Sequence, residues 1–173
     1  GIQLHVGAME MWTWLALPIN VDIPLWQRPW TLFSSHFIHG DADHLEGNLK
    51  YFIPIAFYLA YNNFMWRKHL IPTLLVVSTI TVVMGQQGYH GGLSAVIFYC
   101  YVVGINMILR KPRMNLVDIA FAIFIMFNIP LLIGGLLPQP GMSNTGHLAG
   151  AIVALYHNDV IRTKIKSFVL STL

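Results

Sequence analysis

Four polar side chains in a largely apolar sequence have the types that serine hydrolysis requires. A nucleophilic serine needs a base within hydrogen-bonding reach and donors that stabilise the oxyanion formed during attack. Ser94 is the candidate nucleophile, His147 is the candidate base, and His44 and Asn48 are candidate oxyanion donors. Because His44 and Asn48 are four residues apart, they share one face of a helix.

Each of these residues also has an ordinary structural interpretation. A small residue such as Ser94 allows membrane helices to pack closely, and Asn48 can form a hydrogen bond between helices. His147 can be a structural histidine with satisfied ring nitrogens. The catalytic interpretation therefore depends on elements that bring all four residues to the same depth.

The composition predicts that those elements are membrane helices. The 173 residues are 55% hydrophobic and 10% charged, whereas soluble domains carry about 25% charged residues. A helix needs about 20 mostly apolar residues to cross the hydrocarbon core, and none of the apolar runs alternates like a membrane β-strand. The predicted fold is all-α, a polytopic transmembrane helix bundle with five evident spans, at 44–63, 69–85, 92–109, 116–137 and 146–161.

Residues 1–43 differ in composition from the rest of the chain. They contain three prolines and four of the tryptophans, with polar residues interrupting each apolar run. Tryptophan favours the membrane interface, where its ring is buried and its N–H stays hydrated. We therefore predict an interfacial loop region with short helices over 1–43 and one transmembrane domain over 44–173.

Basic residues predict the orientation of the spans. They cluster after the first, third and fifth spans, at 67–68, 110–113 and 162–166, and the positive-inside rule places these ends in the cytoplasm. His44, Ser94 and His147 begin the same three spans, so they should lie together near the extracytoplasmic face. The clusters require no nucleic-acid partner, and the expected partner of these charges is the lipid bilayer.

The surroundings of His147 favour a Ser–His dyad over a triad. The spans offer no aspartate or glutamate at the depth of His147 to orient its ring. Phe98 lies one helical turn below Ser94 and could stack on the imidazole instead. We expect neither a metal ion nor a cofactor.

Three motifs, in this order, resemble those of the rhomboid intramembrane serine proteases: HFIHGDADHLEGN at 36–48, GGLSAV at 91–96 and GMSNTGHLAG at 141–150. The resemblance implies that Ser94 and His147 form the dyad and that His44, Asn48 and the Ser94 backbone N–H form the oxyanion hole. It also implies supporting roles for four glycines. Gly91 and Gly92 would give a flexible approach to the serine, and Gly146 and Gly150 would pack closely against the third span.

The resemblance further implies that the five spans are the second to sixth helices of a six-helix core, with the first helix encoded upstream. Several positions depart from the family pattern: the usual Glu and Gly are not evident at 60–64, Phe98 stands where a tyrosine is common, and two further departures are at Ala95 and Thr31. Ala95 replaces a glycine beside the serine, which could widen a close helix contact. Thr31 follows Trp30 where an arginine is usual, so we expect no guanidinium to brace the loop.

The implied function is hydrolysis of a peptide bond in or near a transmembrane segment of another protein, in the plasma membrane, by an enzyme that needs only one subunit. Substrate would enter between the first and fourth spans under a cap over 134–146, and water would pass polar residues at 34–36, 39, 86–87 and 89. One alternative is a non-catalytic rhomboid-like protein that binds transmembrane helices. Another is a small transporter, which would require polar residues throughout the bilayer.

Overall fold

The computed structural model describes residues 10–137 and 144–156, and most of these residues are helical. Five helices form the body of the protein: α1 (Ala42–Tyr61), α2 (Trp66–Met84), α3 (Ser94–Leu109), α4 (Leu116–Leu136) and α5 (Asn144–Tyr156). Their described ends lie within three residues of the ends of the five predicted spans, except that α5 is described only to Tyr156 whereas the fifth predicted span ends at 161. The prediction of a helical bundle is therefore confirmed.

The number of helices that cross a membrane remains a prediction. Among the described helices, only α4, with 21 residues, is both long enough and apolar enough to span by itself. The segments Lys68–Met84 and Ser94–Leu109 are apolar but shorter. The first half of α1 contains Asp43, Glu46 and Lys50, and these charges lower its hydropathy near the end that carries His44.

The central helix of the bundle is α3, in which nine of 16 residues are buried. A helix that is apolar on all sides is expected to lie inside a bundle, and α3 packs most extensively against α5. A Cβ atom added to Gly150 of α5 would collide with the carbonyl oxygen of Ala95 and lie 3.2 Å from the Tyr99 nitrogen. Gly150 therefore occupies the close-packing position predicted for it, and the Ala95 methyl does not keep α3 and α5 apart.

A buried polar cluster fixes the end of the bundle farthest from Ser94. The Asp118 carboxylate, at the start of α4, accepts hydrogen bonds from Lys111 Nζ at 2.5 Å and from the Tyr58 hydroxyl at 3.0 Å. Lys111 also donates to the Asn62 side chain at 2.6 Å. Lys111 thus joins the end of α1 to the start of α4. It belongs to a basic cluster whose predicted partner is the lipid bilayer.

The segment before α1 contains short helices, as predicted, and one strand that the sequence did not predict. A helical turn covers 10–15, and three further short helices cover Leu25–Gln27, Thr31–Ser34 and Ser35–Phe37. Strand β1 (Leu17–Ile19) pairs antiparallel with β2 (Gly88–His90), which lies just before α3. Strands of three residues are too short to produce a recognisable alternation, so the all-α prediction missed them.

The expectation that no guanidinium braces this segment is wrong. Arg28 Nη1 donates to the Thr13 carbonyl at 2.9 Å, and the Arg28 guanidinium lies 4.3 Å from the centre of the Trp14 ring. Trp14 in turn stacks on Trp30 at 5.9 Å. Arg28, two residues before Trp30, therefore supplies the brace that Thr31 does not.

We predicted that His36 would line a water path. Its side chain instead anchors the same segment to α2. Its side chain is buried, and Nε2 lies 3.1 Å from the Leu74 carbonyl oxygen and 2.8 Å from Ser78 Oγ. The Ser78 hydroxyl donates to the Leu32 carbonyl at 2.7 Å, so His36 Nε2–H is the donor to both oxygens. Burial lowers the pKa of His36 from its ordinary value of 6.5, although the bond to Leu74 opposes this shift.

The lowered pKa of His36 predicts a loss of stability in mild acid. Above pH 6.5 the ring is neutral in both states, but at lower pH the unfolded chain binds a proton that the folded protein resists. The melting temperature in detergent should therefore fall between about pH 7.5 and pH 5.5 more in the wild type than in His36→Gln. His39 remains in both proteins, so its contribution cancels. Equal falls in the two proteins would contradict this assignment.

Candidate active site

A cavity of about 860 Å³ opens beside the start of α3, between α1, α4, α5 and the loop that contains β2. Its lining includes all four residues that the sequence singled out: His44, Asn48, Ser94 and His147. Gln86, Gln87 and Tyr89 of the predicted water path also line it, whereas the other four residues of that path, Ser34, Ser35, His36 and His39, do not. The tertiary fold thus brings side chains from three separate helices to one space.

His147 of α5 is held in a defined orientation by two contacts. Its Nδ1 lies 2.7 Å from the Gly135 carbonyl oxygen, so Nδ1–H donates and Nε2 keeps a lone pair. The Phe98 ring lies parallel to the imidazole, with ring centres 4.3 Å apart and planes 9° apart. Aromatic stacking and one backbone carbonyl thus orient the imidazole, as an acidic residue does in a triad.

Gly135 is a site residue that the sequence analysis missed. A Cβ atom added there would lie 2.5 Å from Phe98 Cζ and 3.3 Å from His147 Nδ1. Only glycine therefore leaves room for both the stacked ring and the hydrogen bond to the Gly135 carbonyl. The available signal was the Gly134–Gly135 pair in an otherwise apolar helix.

The turn before Ser94 requires glycine for conformation and for space. Gly92 has a φ of +123°, a backbone conformation that residues with a side chain rarely adopt. An added Cβ would lie 3.2 Å from His44 Cε1 and 3.7 Å from Asn48 Nδ2. A Cβ on Gly91 would lie 3.0 Å from the Ile38 side chain. These glycines therefore let the chain approach the candidate oxyanion donors closely.

His44 lies at the start of α1, where the Asp41 side chain caps the helix by accepting from the His44 backbone N–H at 2.7 Å. The His39 ring meets the His44 ring edge-on at 5.1 Å, and His39 Nε2 accepts from the Leu93 N–H at 3.4 Å. Partial burial lowers the pKa of His39, with His44 adding to the shift and Asp41 opposing it. His39 thereby connects the beginning of α1 to the residue before Ser94.

Asn48 lies one turn below His44 and is only 7% exposed. Its Nδ2 is buried and has no hydrogen-bond partner within the described ranges. Most buried polar groups are hydrogen bonded, because an unsatisfied one costs about 1–3 kcal/mol. Asn48 Nδ2 is therefore an unsatisfied donor of a residue that lines the same cavity as Ser94.

A sequence model of the Rhomboid domain matches residues 27–163, which is most of the chain. The chain belongs to the rhomboid family. This family is membrane-embedded and consists in general of intramembrane serine proteases. No curated protein matches this rhomboid chain.

The described parts of the predicted cap of the rhomboid, at 134–146, are mostly helical. Gly134 and Gly135 do not break α4, which continues to Leu136, and α5 already begins at Asn144. Gly146 is buried one residue before His147. Positions 138–143 lie outside the described residues, as do the basic residues at 162–166, so both predictions about them stay predictions.

Proposed function

We propose that this rhomboid is an intramembrane serine endopeptidase that cleaves transmembrane or juxtamembrane segments of other membrane proteins. One observation carries the proposal: a single cavity is lined by Ser94, by an imidazole whose Nδ1–H is engaged so that Nε2 carries the lone pair, and by Asn48, whose buried Nδ2 has no hydrogen-bond partner in the described part of the chain. Helix packing alone gives no reason to leave the Asn48 amide unsatisfied. An oxyanion that forms only during the reaction gives such a reason.

The proposed reaction begins when Ser94 Oγ attacks the carbonyl carbon of the substrate and its proton passes to His147 Nε2. The resulting oxyanion accepts hydrogen bonds from Asn48, from His44 and from the Ser94 backbone N–H. His147 then donates its proton to the departing amine, which leaves an acyl-enzyme at Ser94. Water, activated by the same histidine, hydrolyses the ester and restores the serine.

The Gly135 carbonyl has a specific consequence for this reaction. By accepting from Nδ1–H it selects the tautomer with Nε2 as a base, and it continues to accept from the imidazolium that forms. A neutral carbonyl stabilises that cation less than a carboxylate would. The geometry therefore supports a dyad in which the backbone of α4 replaces the third residue.

The surface supports a membrane location for the proposed enzyme. Phe57 of α1 is 65% exposed and Phe127 of α4 is 83% exposed, and large apolar side chains are stable at such positions when lipid covers them. We propose a multi-pass protein of the plasma membrane with the cavity near the extracytoplasmic face, as the basic clusters at 67–68 and 110–113 indicate. We also propose that substrate enters laterally between α1 and α4 and that a single subunit is sufficient for activity.

Labelling with a fluorophosphonate tests the proposed nucleophile. The wild-type protein in detergent should be labelled covalently, whereas Ser94→Ala should be labelled only at background level, because the attacking oxygen is gone. Ser34→Ala is the matched control: its hydroxyl donates to the Leu15 carbonyl at 2.8 Å outside the cavity, so labelling should persist.

Equal labelling of the wild type and Ser94→Ala would contradict the assignment of Ser94. Absence of labelling in all three proteins, each shown to be folded by its melting temperature, would instead favour the non-catalytic alternative, a rhomboid-like protein that binds transmembrane helices. The two outcomes are distinguishable in one gel.

A further inference from the structure

The side of α1 that does not line the cavity carries a row of five exposed side chains. Its members recur every three or four residues, which places them along one face of the helix. We call this set the outer stripe. From the start of α1 its members are Asp43, Glu46, Lys50, Ile53 and Phe57, and all five are exposed.

The three charged residues of the outer stripe lie beside the candidate active site without entering it. Asp43, Glu46 and Lys50 each precede by one position a residue that lines the cavity, at 44, 47 and 51. Each side chain therefore projects about 100° away from the cavity around the helix axis. None of the three forms an ion pair within the described ranges, so their charges are available to a partner from outside the chain.

The proposed membrane location places these charges on a surface that lipid covers. Farther along the same stripe, Ile53 is 60% exposed and Phe57 is 65% exposed. Ionisable side chains within a membrane are costly unless they meet an opposite charge or reach the headgroups. Because the described part of the chain supplies no opposite charge, we looked for one in the membrane itself.

The order of groups along the outer stripe matches the order of groups in a zwitterionic phospholipid. From the membrane surface inwards, such a lipid presents an ammonium group, then a phosphate, then acyl chains. In the same direction the stripe presents two carboxylates, the Lys50 ammonium, and the apolar side chains of Ile53 and Phe57. Each group of the lipid therefore lies at the depth of a group that can bind it.

The length of the outer stripe also matches one leaflet of a bilayer. Asp43 and Phe57 are 14 residues apart, which corresponds to about 21 Å of helix. Half of a bilayer, with its headgroups, is about 20–22 Å thick. The Lys50 side chain leans towards the start of the helix, and this direction carries its ammonium group towards the headgroups.

We propose that the outer stripe binds one phosphatidylethanolamine molecule of the extracytoplasmic leaflet, with its ammonium at the two carboxylates, its phosphate at Lys50 and an acyl chain along Ile53 and Phe57. This inference rests on the membrane location given in the proposed function and requires no catalysis. A primary ammonium has three N–H donors for charge-assisted hydrogen bonds to carboxylates, whereas the quaternary ammonium of phosphatidylcholine has none. The bound lipid holds the start of α1, and with it the candidate oxyanion donors, at a fixed depth.

Competition between two lipids tests this proposal. The intact protein in detergent micelles receives equal amounts of dioleoyl phosphatidylethanolamine and dioleoyl phosphatidylcholine, and native mass spectrometry measures how much of each lipid it retains. The two lipids share the phosphate and the acyl chains, so lipid held by the basic clusters contributes equally to both. The wild type should retain about threefold or more phosphatidylethanolamine than phosphatidylcholine.

Removal of the two carboxylates should abolish this preference. In Asp43→Asn/Glu46→Gln the ratio of the two lipids should be close to one, because an amide attracts an ammonium group much less than a carboxylate does. Glu10→Gln/Asp22→Asn is the matched control, since it removes two exposed carboxylates that lie outside the outer stripe. Its ratio should equal that of the wild type.

Exchange of two charges separates lipid binding from simple pairing between neighbours on the helix. Glu46→Lys/Lys50→Glu keeps the net charge and the spacing of four residues, but it reverses the order of the two charges relative to the headgroup. The preference for phosphatidylethanolamine should therefore be lost. If the two side chains served only to pair with each other, the ratio would stay at the wild-type value.

A ratio near one in the wild type, or a wild-type ratio in either stripe variant, would overturn the proposal. So would a loss of dimers in the same spectra on exchange of the two charges with the lipid ratio unchanged, because the stripe would then bind a second copy of the chain. These results leave the labelling of Ser94, and with it the proposed nucleophile, unaffected. Conversely, absence of labelling in a protein that still selects phosphatidylethanolamine would overturn the proposed catalysis alone.

Discussion

Replacement of His147 by alanine is expected to lower the rate of substrate cleavage by about 10⁴-fold or more. Without the imidazole, nothing accepts the Ser94 proton during attack or donates one to the departing amine. The measurement is single-turnover cleavage of a transmembrane substrate in proteoliposomes, with rates divided by the fraction of folded enzyme. This correction is needed because the substitution also removes the stack on Phe98 and the bond to the Gly135 carbonyl.

The matched control for this experiment is His69→Ala. His69 lies on α2, stacks on Phe64 with ring centres 5.2 Å apart, and does not line the cavity. Its loss should change the melting temperature but leave the corrected cleavage rate within a factor of about two. A fall of less than tenfold for folded His147→Ala would be incompatible with a role as general base.

Replacement of Asn48 by alanine should lower kcat by about 10²- to 10³-fold with a smaller change in KM, as expected for a donor that acts on the developing oxyanion. The same substitution should leave the melting temperature unchanged or raise it. The reason is that Asn48 Nδ2 is buried with no hydrogen-bond partner among residues 10–137 and 144–156, so its removal takes away a desolvation cost. Steady-state kinetics and thermal unfolding in the same detergent check both parts.

Asn62→Ala, at the C-terminal cap of the same helix, should give the opposite pattern. The Asn62 amide donates to the Tyr58 carbonyl at 2.9 Å and accepts from Lys111 at 2.6 Å. Its removal should lower the melting temperature and leave kcat unchanged. If Asn48→Ala behaved in this way instead, Asn48 would be an interhelical hydrogen-bonding residue and the oxyanion hole would have to be assigned elsewhere.

The positions of the helices could be predicted from the sequence, because each helix coincides with an apolar run that is longer than a membrane β-strand requires. Helix α1 begins two residues before its predicted start because Asp41 caps it, and α4, which Asn115 and Asp118 cap reciprocally, begins at its predicted residue. The strands β1 and β2 were not predictable, because each exists only through pairing with a distant segment.

The brace supplied by Arg28 and the anchor supplied by His36 illustrate a second limit. Both side chains act through backbone carbonyls, those of Thr13 and Leu74. Every residue has such a carbonyl, so no pattern of side-chain types indicates which one will be used. The lack of an arginine at Thr31 therefore predicts a missing brace, whereas the guanidinium of Arg28, three residues earlier, performs that task.

The sequence by itself determined which residues are chemically capable of the proposed reaction and that helices would carry them. Residue types and apolar periodicity suffice for that, since they depend only on local chain properties. Only the tertiary structure decided that His44, Asn48, Ser94 and His147 line one cavity and that the Gly135 carbonyl orients the imidazole. These features depend on distances between helices, and those distances are set by packing at positions such as Gly92, Gly135 and Gly150, where the absence of a side chain is what matters.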